Sequence, residues 1–283
     1  MPPGFPTPGR ATAPNPPGDN AAMTPIHSAA RDGFAKEAQA YVRGRPDYPP
    51  ELLAWLEQDL GLAAGQTVID LGAGTGKFTK LLVRTGAQVS AVEPVAQMRA
   101  QLQQQGLPGV SVLDGSAESM PLDAACADLV LCAQAFHWFA TEAALAEIHR
   151  VLKPGGRLGL VWNVRDESVD WVRQITEIIT PYEGDAPRFY KGDWRKPLAG
   201  PFFGALQQRD FAYQHVGSAK EVILDRFLSV SFIAALAPAQ KEQVAERLRA
   251  LIATHPDLSG RSRVAFPYRT QAYWCTRQGL GAT

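Results

Sequence analysis

The chain has 283 residues, 46% of them hydrophobic, with 28 lysines and arginines against 28 aspartates and glutamates. That length supports one large domain with a sizeable core. The even charge balance offers no global electrostatic case for nucleic acid or an anionic membrane, and no uninterrupted apolar run approaches the roughly 18 residues of a membrane-spanning helix. The three cysteines, Cys126, Cys132 and Cys275, are too few and too scattered for a disulfide framework or a zinc site. They read as reduced apolar filler in a cytoplasmic protein, and no metal is expected.

Residues 1–28 carry Pro2, Pro3, Pro6, Pro8, Pro14, Pro16, Pro17 and Pro25 among Gly, Ala and Thr. They lack the apolar content to fold and the basic start and apolar stretch of a secretory signal. A disordered tail is expected there, with Met23 as an alternative start of translation. The domain then covers 29–283, with a core over 50–163 and a variable substrate-side region and edge strands over 164–283.

Apolar residues at helical spacing run from Leu52 to Leu60, and Gly61 and Gly65 end the pattern. Val68-Ile69-Asp70-Leu71 reads as a short buried strand. After a cluster of glycines, Phe78, Leu81 and Leu82 mark a second helix that stops at Gly86. Val89-Ser90-Ala91-Val92 is a strand, and Pro94 opens a helix carrying Val95, Met98 and Leu102. Strands follow at Val110–Leu113 and over 128–132. Ala144, Leu145, Ile148, Val151 and Leu152 line a helix that Pro154-Gly155-Gly156 terminates, and 157–162 is a fifth strand. Residues 166–203 show no clear period. Beyond them, 207–216 and 264–276 read as strands separated by helical patterns over 222–236 and 239–254.

Strands and helices alternating this closely imply right-handed crossovers and a mostly parallel sheet covered on both faces. The expected fold class is therefore α/β, doubly wound, and the two late strands form a candidate antiparallel hairpin at the sheet edge.

A glycine-rich turn between strand and helix suits a ligand that needs close backbone approach. A dinucleotide fingerprint requires glycine at position 77, which is Lys77. A triphosphate loop requires a hydroxyl after Gly76-Lys77 and a glycine at 71, where Phe78 and Leu71 stand. Asp70-Leu71-Gly72-Ala73-Gly74-Thr75-Gly76 fits neither.

It does resemble motif I of the class I S-adenosylmethionine-dependent methyltransferases. That resemblance implies a seven-stranded Rossmann-like sheet and S-adenosylmethionine as cofactor. It also implies a turn (Gly72, Ala73, Gly74, Thr75, Gly76) against the cofactor's amino-acid part, and Asp70 holding its ammonium group. Glu93, about 20 residues beyond the turn at a strand end, would accept the ribose hydroxyls, with Pro94 and Met98 beside it. The loop Ser116-Ala117-Glu118 resembles the adenine-contacting segment, with Ser116 where an acid is common in the family, and Gln134 completes the expected cofactor set. The run Arg150-Val151-Leu152-Lys153-Pro154-Gly155-Gly156 resembles a structural signature of the type 11 group, related to quinone-biosynthesis enzymes. Gln134-Ala135-Phe136-His137-Trp138-Phe139, with Phe34, Ala38, Tyr41, Arg45-Pro46 and Tyr48-Pro49, resembles the narrower group of trans-aconitate methyltransferase-like proteins.

Methyl transfer needs the attacking atom held in line behind the methyl carbon in a dry, aromatic setting. Phe136, Trp138 and Tyr41 are the expected substrate-pocket residues, with Tyr48 nearby. His137 is the candidate general base; a packed loop histidine is the competing reading, and a carboxylate acceptor would need no base. His149 is expected at the surface. His27, His215 and His255 have no supporting context, and Arg43, Arg45 and Arg165 are candidates to pair with an acidic substrate. The function expected is methyl transfer to a small-molecule oxygen or nitrogen nucleophile. A catalytically silent cofactor-binding module and an RNA or protein methyltransferase are the alternatives.

Overall fold

Which side of the sheet each helix covers is decided by alternation along the strands. In the computed structural model, which describes residues 45–279, seven strands form one sheet: β1 (Thr67–Leu71), β2 (Gln88–Val92), β3 (Val110–Leu113), β4 (Ala127–Ala133), β5 (Leu152–Arg165), β6 (Gln207–Gly217) and β7 (Val264–Thr276). Their order is β3-β2-β1-β4-β5-β7-β6. Neighbours from β3 to β5 are parallel, and β7 pairs antiparallel with both β5 and β6. The sheet is thus doubly wound and mostly parallel, with the expected antiparallel pair at its edge.

Val68, Leu129, Leu131, Val161 and Trp274 pack on one face against α1 (Glu51–Ala54), its π-turn continuation Trp55–Asp59, and α2 (Lys77–Val83). Their immediate neighbours Ile69, Val130, Cys132, Leu160, Trp162 and Tyr273 face the other side, as the twofold period of a strand requires. There they meet α4 (Glu142–Val151), while α3 (Ala96–Gln104) follows β2. Thr141 caps α4 by accepting from the Ala144 N–H at 3.1 Å. The helix stops at Val151, short of the expected Pro154, because Leu152 adopts extended backbone and pairs with Ala127 at the start of β5.

A third apolar cluster lies beyond the sheet's carboxyl edge. The last β5–β7 pair is Arg165 with Tyr268, yet β6 and β7 continue together as far as Gly217 and Val264. Phe266 and Tyr268 on that extension are buried against α5 (Asp170–Ile179), a π turn at Lys220–Asp225 with α6 (Arg226–Leu228), α7 (Ser231–Ala234) and α8 (Pro238–Thr254). This helical lobe overhangs the ends of β4 and β5. Residues 166–203, which show no sequence period, contain α5 and three 3-10 turns.

The expected tail over 1–28, Met23, His27, Phe34, Ala38, Arg43 and the pocket candidate Tyr41 lie outside the described residues. Among the described residues no helix is long and apolar enough to cross a membrane.

Candidate active site at the carboxyl edge of the sheet

Asp70 is the penultimate residue of β1, and the chain turns sharply after Leu71. Gly72 has φ +71°, and a Cβ there would sit 2.7 Å from the Ala135 Cβ, so glycine lets the segment after β4 close against the turn. The Gly72 and Ala73 N–H groups donate to the Val92 carbonyl at 2.8 and 3.2 Å, and the Gly74 N–H donates to Glu93 Oε2 at 2.9 Å. Glu93 Oε1 accepts from the Val95 N–H at 2.9 Å. Glu93 therefore braces the glycine turn from the end of the adjacent strand.

Two buried carboxylates result. Asp70 is 1% exposed and Glu93 5%. Asp70 Oδ2 accepts from Thr79 Oγ1 at 2.6 Å, and its Oδ1 is buried with no hydrogen-bond partner among the described residues. Burial pushes the Asp70 carboxyl up to about 7 against the Thr79 hydrogen bond, and the nearby Glu93 charge adds to the rise. Burial also raises Glu93, although Val95, Gly74 and Arg99 favour its ionised form. Such a pair around one turn is stabilised by a cationic ligand.

β2 and β3 end level, Val92 opposite Leu113, so the loop after β3 lies along the same edge. Ser116 and Ser119 exchange backbone hydrogen bonds at 3.2 and 3.3 Å, and Ala117 between them is buried. Met98 is buried in α3, its sulfur 3.8 Å from where a Gly74 Cβ would stand.

Among the described residues, a smaller and a larger cavity adjoin this edge. The smaller, about 50 Å³, touches Asp70, Gly72, Gly74, Thr75 and Tyr48. The larger, about 510 Å³, lies beneath the helical lobe and touches His137, Trp138 and Trp162. Arg45, Gln134, Asn163 and Arg226 line both. Neither is lined by Glu93, Pro94, Met98, Ser116, Ala117 or Glu118, which lie along the strand ends on the β2–β3 side.

Phe136 departs from its expected place in the pocket. It is fully buried, 5.7 Å from Phe139 and 6.5 Å from Trp194 between ring centroids, because the 3-10 turn Phe136–Trp138 sends consecutive side chains in different directions. His137 does line the cavity. Its Nδ1 accepts from Trp162 Nε1 at 3.1 Å, and since an indole N–H only donates, the ring proton resides on Nε2. Burial, with Arg188 and Arg45 nearby, pushes His137 down to about 3. His149 is buried rather than at the surface, with Nε2 2.7 Å from the Gln278 carbonyl and its ring against Phe202 and Phe203, because the chain after β7 crosses over it.

Residues 69–160 match the family model described as a methyltransferase domain. An uncharacterized methyltransferase of Mycobacterium bovis is 42% identical over 238 residues, 84% of this chain and 92% of that one. The chain belongs to the class I S-adenosylmethionine-dependent methyltransferases. Solved structures share the fold. A type II methyltransferase from Anaeromyxobacter dehalogenans superposes with a TM-score of 0.56 at 24% identity, covering 82% of this chain and 96% of that one. A Haemonchus contortus phosphoethanolamine N-methyltransferase in complex with S-adenosyl-L-methionine gives 0.53 at 16% identity, covering 88% and 60%.

The methyltransferase's cofactor suits the turn. S-adenosylmethionine carries an ammonium and a sulfonium, and the buried Asp70 and Glu93, with the orphaned Asp70 Oδ1, offer the negative charge and free acceptor that these require. Sequence reasoning missed Thr79, Asn163, Arg188 and Arg226. Thr79 had a signal, a hydroxyl in the first turns of the helix after the glycines. The two arginines had none, because the region that carries them has no motif.

Proposed function

We propose that this methyltransferase transfers the methyl group of S-adenosylmethionine to an oxygen or nitrogen of a small organic acceptor seated in the larger cavity. One observation carries the reading: the larger cavity and the pocket at the glycine turn share Arg45, Gln134, Asn163 and Arg226. An acceptor there meets the cofactor at the ends of β1, β4 and β5, the edge where open α/β sheets bind ligands. When bound, S-adenosylmethionine supplies an electrophilic methyl carbon on a sulfonium centre.

The chain's own residues bind and orient. Asp70 Oδ1 accepts from the ammonium group, and residues 72–76 admit the ligand to the backbone. Each Glu93 oxygen accepts one backbone N–H, which leaves lone pairs for the ribose hydroxyls. Pro94, Met98, Ser116, Ala117 and Glu118 flank the adenine side, and Gln134 stands where cofactor and acceptor meet. Trp138 and Trp162 form the aromatic wall that excludes water. His137, neutral with its proton on Nε2, acts as a hydrogen-bond donor that positions the acceptor; much of the rate then comes from alignment.

The likeness of the segment after β4 to trans-aconitate methyltransferase-like proteins supports an organic acid among the acceptors, whose carboxylate needs no base. Residues 50–163 then hold the cofactor and contribute His137, Trp138 and Trp162 to the acceptor cavity, and 164–283 supply most of the rest of its lining. The free cysteines, two of them buried, support a cytoplasmic setting. The test is release of S-adenosylhomocysteine with a panel of organic acids, phenols and amines. Cofactor binding without turnover on any of them would favour a non-catalytic module.

A further inference from the structure

Four guanidinium groups (Arg45, Arg165, Arg188, Arg226) and two carboxylates (Glu167, Glu183) line the larger cavity, an excess of two positive charges in one cleft. Guanidinium groups crowd one another there. Arg165 and Arg226 both stack on Phe227, at 5.7 and 5.4 Å from its centroid, and Arg188 stacks on Phe232 at 4.5 Å and on Trp138 at 5.5 Å. Ring contacts occupy the faces of a guanidinium and leave its edge N–H donors unused.

Those edges are poorly satisfied. Arg226 Nε and Nη1 and Arg188 Nη2 are buried without hydrogen-bond partners among the described residues. Arg188 Nε lies 3.4 Å from Glu183 Oε2, but Glu183 also accepts from Tyr190 and faces Lys191 at 3.3 Å. Arg165 Nε is 4.0 Å from Glu167, beyond hydrogen-bond reach. Burial lowers both Arg165 and Arg188, and the charge of Arg226 lowers Arg165 further. Half-buried like charges this weakly paired are costly, and an oxyanion bound among them relieves the cost.

We propose that Arg165, Arg188 and Arg226 form an oxyanion site that grips a negatively charged group of the acceptor other than the one methylated. This rests on the acceptor reading above. The planar forks of arginine match a carboxylate or a phosphate equally, so the shared chemistry is a two-oxygen anion.

The test uses the full chain with S-adenosylhomocysteine bound, and follows its unfolding temperature and titration calorimetry with glutarate, phenyl phosphate and the neutral isostere glutaramide. At least one anion is expected to bind and raise the unfolding temperature, and glutaramide is not. Response to glutarate alone assigns a carboxylate, and response to phenyl phosphate alone assigns a phosphate. Arg165→Gln and, on a separate segment, Arg188→Gln each weaken that anion by about ten-fold or more, as loss of a charged hydrogen bond does. Arg188→Lys, which keeps the charge without the fork, falls between. Retained S-adenosylhomocysteine affinity shows that the variants fold. No response to any anion in the unsubstituted protein, an equal response to glutaramide, or unchanged anion binding in both glutamine variants overturns the proposal. Failure of S-adenosylhomocysteine itself to bind would instead overturn the reading beneath it.

Discussion

The Asp70→Asn substitution separates the charge of this carboxylate from its shape. Burial raises Asp70 from 3.8 to about 7, so the folded chain holds this proton more tightly than the unfolded chain does. Stability therefore falls as pH rises from about 4 to about 7 and is flat above that. At roughly 1.4 kcal/mol per pH unit, the whole penalty is about 4 kcal/mol, of which about 2–3 kcal/mol accrues between pH 5 and pH 8. Asparagine still accepts from Thr79 and carries no titrating charge, so any fixed cost of its amide is the same at both pH values. Urea unfolding of both proteins across this range is expected to show Asp70→Asn gaining about 2–3 kcal/mol relative to the unsubstituted chain as pH rises. Its S-adenosylhomocysteine affinity at pH 8 is expected to drop about ten-fold or more, since the ammonium loses a charged partner. Parallel stability curves would refute the reasoning, because they would mean a carboxylate already ionised in its ordinary range and paired within the fold.

Glu93→Ala removes the brace on the Gly74 N–H and the ribose acceptor together; calorimetry is expected to show cofactor affinity weakened by about ten-fold or more, and unchanged affinity contradicts the assignment. Gly72→Ala places a Cβ 2.7 Å from Ala135 at a φ of +71°, so denaturant unfolding should register a loss of about 1–3 kcal/mol. His137, held down to about 3, is expected to stay neutral in an NMR titration between pH 5 and pH 8. It also lowers stability as pH falls below its ordinary 6.5, because the unfolded chain takes up the proton first. Titration near 6.5 would restore the case for a general base.

Where a residue's role follows from its neighbours in sequence, it was legible. The apolar run ending in Asp70, the glycines after it and Glu93 one strand later are local features, and β1, the turn and the end of β2 stand where they were expected. The pairing of β6 with β7 was legible as two long strands near the end of the chain, although their register was not. Phe136 could not be separated from His137 and Trp138, since only the 3-10 turn decides which of three adjacent rings faces the core. α5, in the stretch read as having no clear period, buries Trp171, Val172, Ile175, Ile178 and Ile179; the prolines and charges that flank it hid this short apolar face. Arg165, Arg188 and Arg226 are drawn together from the end of β5, the extended residue before the 3-10 turn Phe189–Lys191, and α6 by the overhang of the β6–β7 extension. That is a tertiary event with no local trace.

In the proposed function, one continuous site joins a cofactor at the glycine turn to a small acceptor under the helical lobe. Incubation with S-adenosylmethionine labelled on its methyl group tests this most directly, with organic acids, phenols and amines offered singly and products followed by mass spectrometry. The account predicts label on an organic acid in step with S-adenosylhomocysteine release, and loss of that product in Arg188→Gln with cofactor binding intact. Tight cofactor binding with no labelled product from any acceptor would contradict it.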